Sequence, residues 1–241
     1  MTDALELIKE RQSSRALFDL ARPVAKEDLR RILEAGSWAP TAHNMQNFEV
    51  VVVSDKKLLE AIGDIQAPLS EVFVRENCAQ LSASEEELKR KKTGLLATMF
   101  PPFMRTPGGK PSAADAGERS GMSLGKAIRS SPVLLVVLYD TSKRAPASEG
   151  DFLGIMSLGC VMENMWLMAQ SLGIGLHIVS SLGSEPIVNE VKKILGIPDH
   201  LRIAFSCRLG YPAAGPVKYL RVRRDVEDFA HQNRYGTLGS R

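Results

Sequence analysis

Apolar positions fall into clear periods along most of the chain. Leu5, Leu7 and Ile8 are interleaved with charge over residues 4–12, which predicts a short amphipathic helix. A second helix is expected after Pro23, with Leu29, Ile32 and Leu33 on one face. Gly36 and Pro40 are expected to end it, leaving a polar loop over 39–47. Val50–Val53 is a β-branched run and reads as a buried strand. Asp55 can cap a helix whose Leu58, Leu59 and Ile62 point one way. Ser84 followed by Glu87 is the spacing of a capping box and predicts a helix over about 84–97. Val133–Tyr139 reads as a second strand. Residues 152–172 predict a long helix that is apolar on most sides, carrying Ile155, Leu158, Val161, Met165 and Leu172, so neighbours are expected all round it. Trp38 and Trp166 read as packing residues. Gly173 ends the long helix. After it Leu176–Val179 reads as extended, Glu185–Leu195 as helix and Leu201–Leu209 as strand.

Between these elements, residues 100–120 hold Pro101, Pro102, Pro107 and Pro111 and read as a long loop. From residue 211 onward the chain carries Pro212, Pro216 and the cations Lys218, Arg221, Arg223 and Arg224, then a polar amphipathic end over Val226–Tyr235. Such a tail has little of its own domain left to pack on, which points to another subunit.

The chain has 241 residues, enough for one large domain that needs no disulfide or metal to stay folded. Hydrophobic residues at 44% and charged residues at 24% exclude a wholly disordered chain. No uninterrupted apolar run approaches membrane-spanning length, so no membrane association is expected. A net charge of +3 is too small to imply nucleic acid, and Tyr219 is the one aromatic interleaved with the tail cations. Three cysteines, Cys78, Cys160 and Cys207, lie far apart, which suits a reducing compartment. With no basic n-region or apolar core read at the N-terminus, a cytoplasmic location is expected.

Several chemistries are absent as motifs. His43, His177, His200 and His231 have no partner at metal-ligand spacing. Gly-x-Ser-x-Gly is missing, and Cys160 sits inside an apolar helix. Gly173-Ile174-Gly175 follows a helix and precedes a strand, the wrong order for a dinucleotide turn. Three elements remain. Arg11-Gln12-Ser13-Ser14-Arg15 sets two guanidiniums around two hydroxyls and suits a phosphate or an anionic ring edge. The Lys218–Arg224 cluster is a second cationic stretch. The loop Ala39-Pro40-Thr41-Ala42-His43-Asn44-Met45-Gln46-Asn47 offers carboxamides that read donors and acceptors on a flat heterocycle. Each also reads as a solvated surface: two basic faces and an ordinary Pro-Asn loop.

In this order the three elements resemble the nitroreductase family of flavin enzymes. The family's Arg-x-Ser-x-Arg is here Arg11, Ser13 and Arg15, and its Ala-Pro-Ser-x-x-Asn-x-Gln-Pro-Trp is here residues 39–48. Its Leu-Gly-Ile/Leu-Gly is Leu172–Gly175, its Leu-Gly-Tyr-Pro is Leu209–Pro212, and its basic-to-acidic end is Arg223–Asp228. The match covers roughly residues 5–63 and 133–235. Thr41 replaces the usual Ser, Asn47-Phe48 the usual Pro-Trp, and Phe18 stands one residue later than the family's aromatic. Residues 64–130 match nothing in the pattern.

The resemblance implies an α+β fold, with a mostly antiparallel central sheet flanked by helices, and a homodimer with FMN at its interface. Residues 1–210 would form the FMN-binding domain, and 211–241 an extension of that domain wrapping the partner. Arg11, Gln12, Ser13 and Arg15 would hold the phosphate, ribityl chain and pyrimidine edge, with Lys218, Arg221 and Arg223 as further phosphate ligands. Pro40, Thr41, Ala42, Asn44 and Gln46 would come from the other subunit. Ser180 and Ser181 would bring backbone amides near the reactive face. His43, Phe100 and Phe103 would line the substrate side, the last two as part of a lid. The implied activity is ping-pong transfer from NAD(P)H, with NADPH slightly preferred, to a small aromatic nitro or quinone acceptor. Arg15 would play an electrostatic role and no side chain would act as nucleophile. A specialised flavoenzyme of the same fold (dehydrogenase, dehalogenase or flavin-consuming synthase) is the chief alternative. A non-enzymatic protein binding an anion or nucleic acid through its tail is the distant one.

Overall fold

The structure is a computed structural model and describes residues 3–65, 71–97, 124–148, 150–185, 187–214 and 220–237. In chain order the elements are α1 (Ala4–Glu10), α2 (Lys26–Ser37), β1 (Phe48–Val53), α3 (Lys56–Gly63), α4 (Glu71–Gln80), β2 (Leu81–Ser82), α5 (Glu85–Lys91) and β3 (Leu95–Leu96). They continue with α6 (Leu124–Arg129), β4 (Val133–Asp140), α7 (Phe152–Ser171), β5 (Gly175–Ile178), α8 (Ile187–Leu195) and β6 (Leu201–Gly210). They divide into two compact units, residues 1–67 with 122–217, and residues 68–121 with 218–241.

The first unit is built on a four-stranded sheet in the order β1-β4-β6-β5, with every pairing antiparallel. Strand β4 reads as an unbroken apolar run because both its faces are covered. Leu134, Val136 and Leu138 enter a core with Leu59 and Ile62 of α3, Ile128 of α6 and Val191 of α8. Val133 and Leu135 enter the opposite core with Ile32 of α2 and Val161, Met165 and Trp166 of α7. This is helices on both sides of an antiparallel sheet, the α+β class expected.

Several sequence expectations change. Val50–Val53 lies in an edge strand with only Val53 buried, since β1 has a partner on one side alone. Gly36 lies inside α2: its missing side chain lets Met165 of α7 approach, where a Cβ would meet the Met165 Cγ at 2.9 Å. Leu58 is exposed while Leu59 and Ile62 are buried, and Asp55 caps as expected, accepting from the Leu58 amide at 3.0 Å. Trp166 packs in the core, but Trp38 is 80% exposed. Helix α7 is not covered all round near its N-terminus: Phe152, Ile155 and Met156 are exposed, while Ser157 and Leu158 are buried. It is long and apolar enough to cross a membrane by length and composition, yet Val161, Met165, Trp166 and Ala169 tie it into the core.

In the second unit, Ser84 Oγ accepts from the Glu87 amide at 3.1 Å and Glu87 Oε2 accepts from the Ala83 amide at 2.6 Å. Helix α5 nevertheless stops at Lys91, well short of 97, because Lys92 and Gly94 take positive φ and turn the chain back into β3, which runs parallel to β2. Lys92 donates to Asp225 and Asp228 at 2.5 and 2.8 Å, and these bonds push its pKa up to about 12. A single 3-10 turn, Val226–Asp228, stands where an amphipathic end was expected. Part of the tail therefore meets residues of its own chain within this unit, through Lys92.

Candidate functional site

Segment 11–19 runs along the outer edge of β5 as an incomplete fifth strand. Ser13 bridges Leu176 in parallel, and the Ser14 amide donates to the Leu176 carbonyl at 2.9 Å. Further on, Phe18 bridges Pro212, the Asp19 amide donates to Tyr211 O at 2.8 Å and the Ala213 amide to Leu17 O at 2.9 Å. Space for this comes from two glycines directly opposite each other, Gly175 of β5 and Gly210 of β6. A Cβ on Gly175 would meet Ser14 Oγ at 2.5 Å, and one on Gly210 would meet Phe18 Cγ at 2.7 Å. These glycines belong to two of the sequence motifs, Leu172–Gly175 and Leu209–Pro212, and their physical reason is this slot. With the Ser14 side chain directed at Gly175, the chain turns at Ser14, where the Arg15 amide donates back to the Ser13 carbonyl at 3.1 Å.

Beneath the slot lies Arg208 of β6, fully buried. Its Nη2 donates to the carbonyls of Ser14 at 3.1 Å and Ala16 at 2.7 Å, its Nη1 to Ala127 O at 3.4 Å, and its Nε to His177 Nδ1 at 3.0 Å. The guanidinium also stacks 4.4 Å from the centre of the Phe18 ring. His177, opposite Arg208 in the β5–β6 register, is held neutral with its proton on Nε2. Burial first, then the positive charges of Arg208 and Arg15, lower its pKa to about 3.

The cationic start of the segment is fixed by α7. The Arg11 guanidinium lies 4.2 Å over the Trp166 ring and 3.5 Å from Glu163 Oε1, and Trp166 Nε1 donates to the Gln12 carbonyl at 3.2 Å. Arg11, Gln12, Ser13 and Arg15 are thus brought together as a half-exposed donor set on braced backbone.

The second predicted element, residues 40–46, also meets α7, but elsewhere. The Ala42 amide donates to Ser157 Oγ at 3.0 Å. Thr41 Oγ1 accepts from the Gln46 amide at 3.2 Å, and Gln46 Nε2 donates to Asn44 Oδ1 at 3.2 Å. His43, Asn44 and Gln46 have φ of 52, 52 and 44°, a region costly to side chains with a Cβ. Gln46, Asn44, Trp38 and Arg30 help line a groove of about 680 Å³. Ser157 and Trp166 are nine residues apart, which on a helix is about 14 Å of rise and about half a turn in facing. One chain therefore presents its two halves on opposite sides of α7.

Ser180 and Ser181 lie in a 3-10 turn just past β5, anchored by the Val179 amide donating to Ser206 O at 2.7 Å. Arg221 and Arg223 belong to the second unit. Lys218, Phe100 and Phe103 lie outside the described residues. Asn47, in place of the usual Pro, is buried against the Tyr139 hydroxyl, whose pKa is raised by burial and by Asp151. Among the described residues no group of three or more His, Cys, Asp or Glu is set to hold a metal.

Sequence reasoning missed Arg208, Trp166, Glu163 and Ser157. Arg208 did leave a signal: it is one of two cations, with Arg202, in the otherwise largely apolar run 201–209. Ser157 left none.

The comparisons with known proteins agree with this fold. A curated relative from Staphylococcus aureus (strain USA300), an NADPH-dependent oxidoreductase, is 20% identical over 229 residues, covering 95% of this chain and 72% of its own. The structure of a putative NADH dehydrogenase/NAD(P)H nitroreductase from Parabacteroides distasonis superposes with a TM-score of 0.61 at 20% identity, covering 96% of this chain and 98% of that one. A nitroreductase from Bacteroides fragilis, solved with bound FMN, gives a TM-score of 0.55 at 23% identity over 100% and 99% of the two chains. The profile of the nitroreductase family matches residues 8–211, and with that span, fold and site order the chain belongs to the nitroreductase family.

Proposed function

We propose that this protein is an FMN-dependent NAD(P)H oxidoreductase that reduces small nitroaromatic or quinone acceptors in a cleft completed by a second copy of the chain. The observation that carries the reading is the donor set on segment 11–15. Two guanidiniums, a carboxamide and a hydroxyl on backbone braced by Arg208 fit a phosphorylated heteroaromatic. FMN, when bound, supplies the redox chemistry, accepting a hydride from NAD(P)H and passing electrons to the acceptor.

The chain's own residues bind and orient. Arg11, Gln12 and Ser13 take the phosphate and ribityl chain, with Lys218, Arg221 and Arg223 as further cations. Arg15 sets a positive charge at the pyrimidine edge, where it favours negative charge. Backbone amides of Ser180 and Ser181 face the ring. Pro40, Thr41, Ala42, Asn44 and Gln46 act on the other copy's cofactor. Their placement across α7 from segment 11–15 supports this, as does the exposed apolar surface of Trp38, Phe152, Ile155 and Met156. His43, at the exposed loop tip, lines the acceptor side with Phe100 and Phe103, and residues 211–241 extend onto the second copy. One cleft serves both substrates in turn, which makes the kinetics ping-pong. None of the three cysteines is in a disulfide, in keeping with work in the cytoplasm.

The test is the visible spectrum of the purified protein after incubation with FMN, then with anaerobic NADPH, then with a nitroaromatic. Bands that bleach with NADPH and return with the acceptor support the reading. Bands that do not bleach with either nicotinamide favour the specialised branch. Failure to retain FMN overturns it.

A further inference from the structure

We infer that Arg208 is the positioning residue of this site: its buried fork fixes the backbone of segment 13–18, so that Ser13 and Arg15 meet a phosphorylated flavin already arranged. The inference rests on the flavin-binding reading of segment 11–15 given above.

Three observations carry it. The first is where the guanidinium points. Of the four hydrogen bonds described above, two go to the segment itself, to the carbonyls of Ser14 and Ala16 two residues apart. One nitrogen within 3.1 and 2.7 Å of both oxygens holds them closer together than an extended chain allows, so it fixes the turn of the backbone between them and hence the direction of the Arg15 side chain. The other two bonds go to α6, through Ala127 O, and to β5, through His177. The fork therefore ties the segment to two rigid elements at once. A lysine could reach one of these acceptors but not all of them in fixed geometry.

The second observation is the glycine pair. Gly175 and Gly210 leave room for Ser14 and Phe18, and the Phe18 ring closes over the Arg208 guanidinium. The segment is thus gripped from below by the cation and from the strands by the slot. Nothing about sheet stability demands a fully buried arginine here, because β4 and β6 already pair along eight positions.

The third is His177. It serves Arg208 only as an acceptor, which requires the neutral ring. Burial and the two nearby cations keep it neutral at ordinary pH. Arg208 and His177 together form a fixed unit under the donor set. Fixing donors before the ligand arrives removes the ordering penalty from binding, so loss of the unit should appear in ligand affinity and not only in stability.

The experiment compares wild type, Arg208→Met, Arg208→Lys and His177→Gln as apoprotein at 15 °C. Far-UV circular dichroism checks the fold, quenching of flavin fluorescence gives the FMN Kd, and amide hydrogen exchange is read at Ser14 and Asp19, whose N–H groups brace the segment, and across β4. Expected are a tenfold or greater rise in FMN Kd for both Arg208 variants, about threefold for His177→Gln, and at least tenfold faster exchange at Ser14 and Asp19 with β4 unchanged. If Arg208→Met does not fold, Arg208→Lys carries the test, since it keeps the charge and loses the fork. Variants that melt earlier but keep Kd within twofold would reduce Arg208 to a packing residue and overturn the inference. So would full affinity in Arg208→Lys. Wild type that binds no FMN overturns the flavin reading and the inference with it; the exchange data would then still report whether the brace exists, so the two failures are distinguishable.

Discussion

Segment 11–19 and loop 40–46 both touch α7, yet they are held by opposite means. The segment is over-determined: backbone bridges at Ser13 and Phe18, two guanidinium bonds from Arg208, a cation stacked on Trp166 and a slot made by two glycines. The loop has the Ala42–Ser157 bond, two internal side-chain bonds, the two backbone bonds of its 3-10 turn and three side-chain-bearing residues at positive φ. One half of the candidate site is thus complete within its own chain. The other stores strain at an exposed face, as a surface does when its fit is made against something else.

The sharpest way to break the contrast is to fill the slot. Gly210→Ala would drive a Cβ to within 2.8 Å of the Phe18 Cβ, close to the backbone, where a ring flip cannot relieve it. Overpacking of that kind costs about 2 kcal/mol and should appear as a lower urea midpoint with unchanged m-value. An unchanged midpoint would mean that the slot is looser than its geometry.

A second test uses acid. The folded His177 has a pKa near 3, below its unfolded value of 6.5, so the unfolded chain takes up the proton first as pH falls. The stability of a neutral His177 is fully present above pH 6.5 and declines below it, by up to about 1.4 kcal/mol per pH unit until the folded ring titrates. His177→Gln should therefore flatten the loss of stability between pH 6.5 and 5 measured by urea unfolding. Parallel curves for wild type and variant would remove His177 as the acid-sensitive group.

On the loop the sign should reverse. His43→Gly gives its positive φ to a residue without a Cβ; the relief exceeds the added unfolded-state entropy by a small margin, for a gain of about 0.5 kcal/mol. A loss in thermal unfolding would show the loop to be no more strained than the segment.

The sequence by itself carried the class of fold and the order of its parts. Unbroken apolar runs placed β4 and α7 and helical spacing placed α8, because burial on one or both faces writes itself into the apolar pattern. The motif residues Arg11, Ser13 and Arg15 were legible for a related reason: cations flanking hydroxyls in a short polar stretch have few structural uses. The apolar pattern misled where it could not tell which cover was near. Val50–Val53 proved to be an edge strand, and Phe152, Ile155 and Met156 near the start of α7 are exposed in the chain.

Only the tertiary structure decided how the site is held. Arg208 stands 193 residues after Arg15, and Gly175 faces Gly210 across two strands. A buried cation in a strand announces an anomaly, not its partners, because the carbonyls it grips belong to Ser14 and Ala16 at the far end of the chain. Glycine likewise records that space is needed without recording for what. Local pattern fixes which face a residue takes; which distant backbone fills the space beside it is settled only when the sheet closes and the segment is laid along its edge.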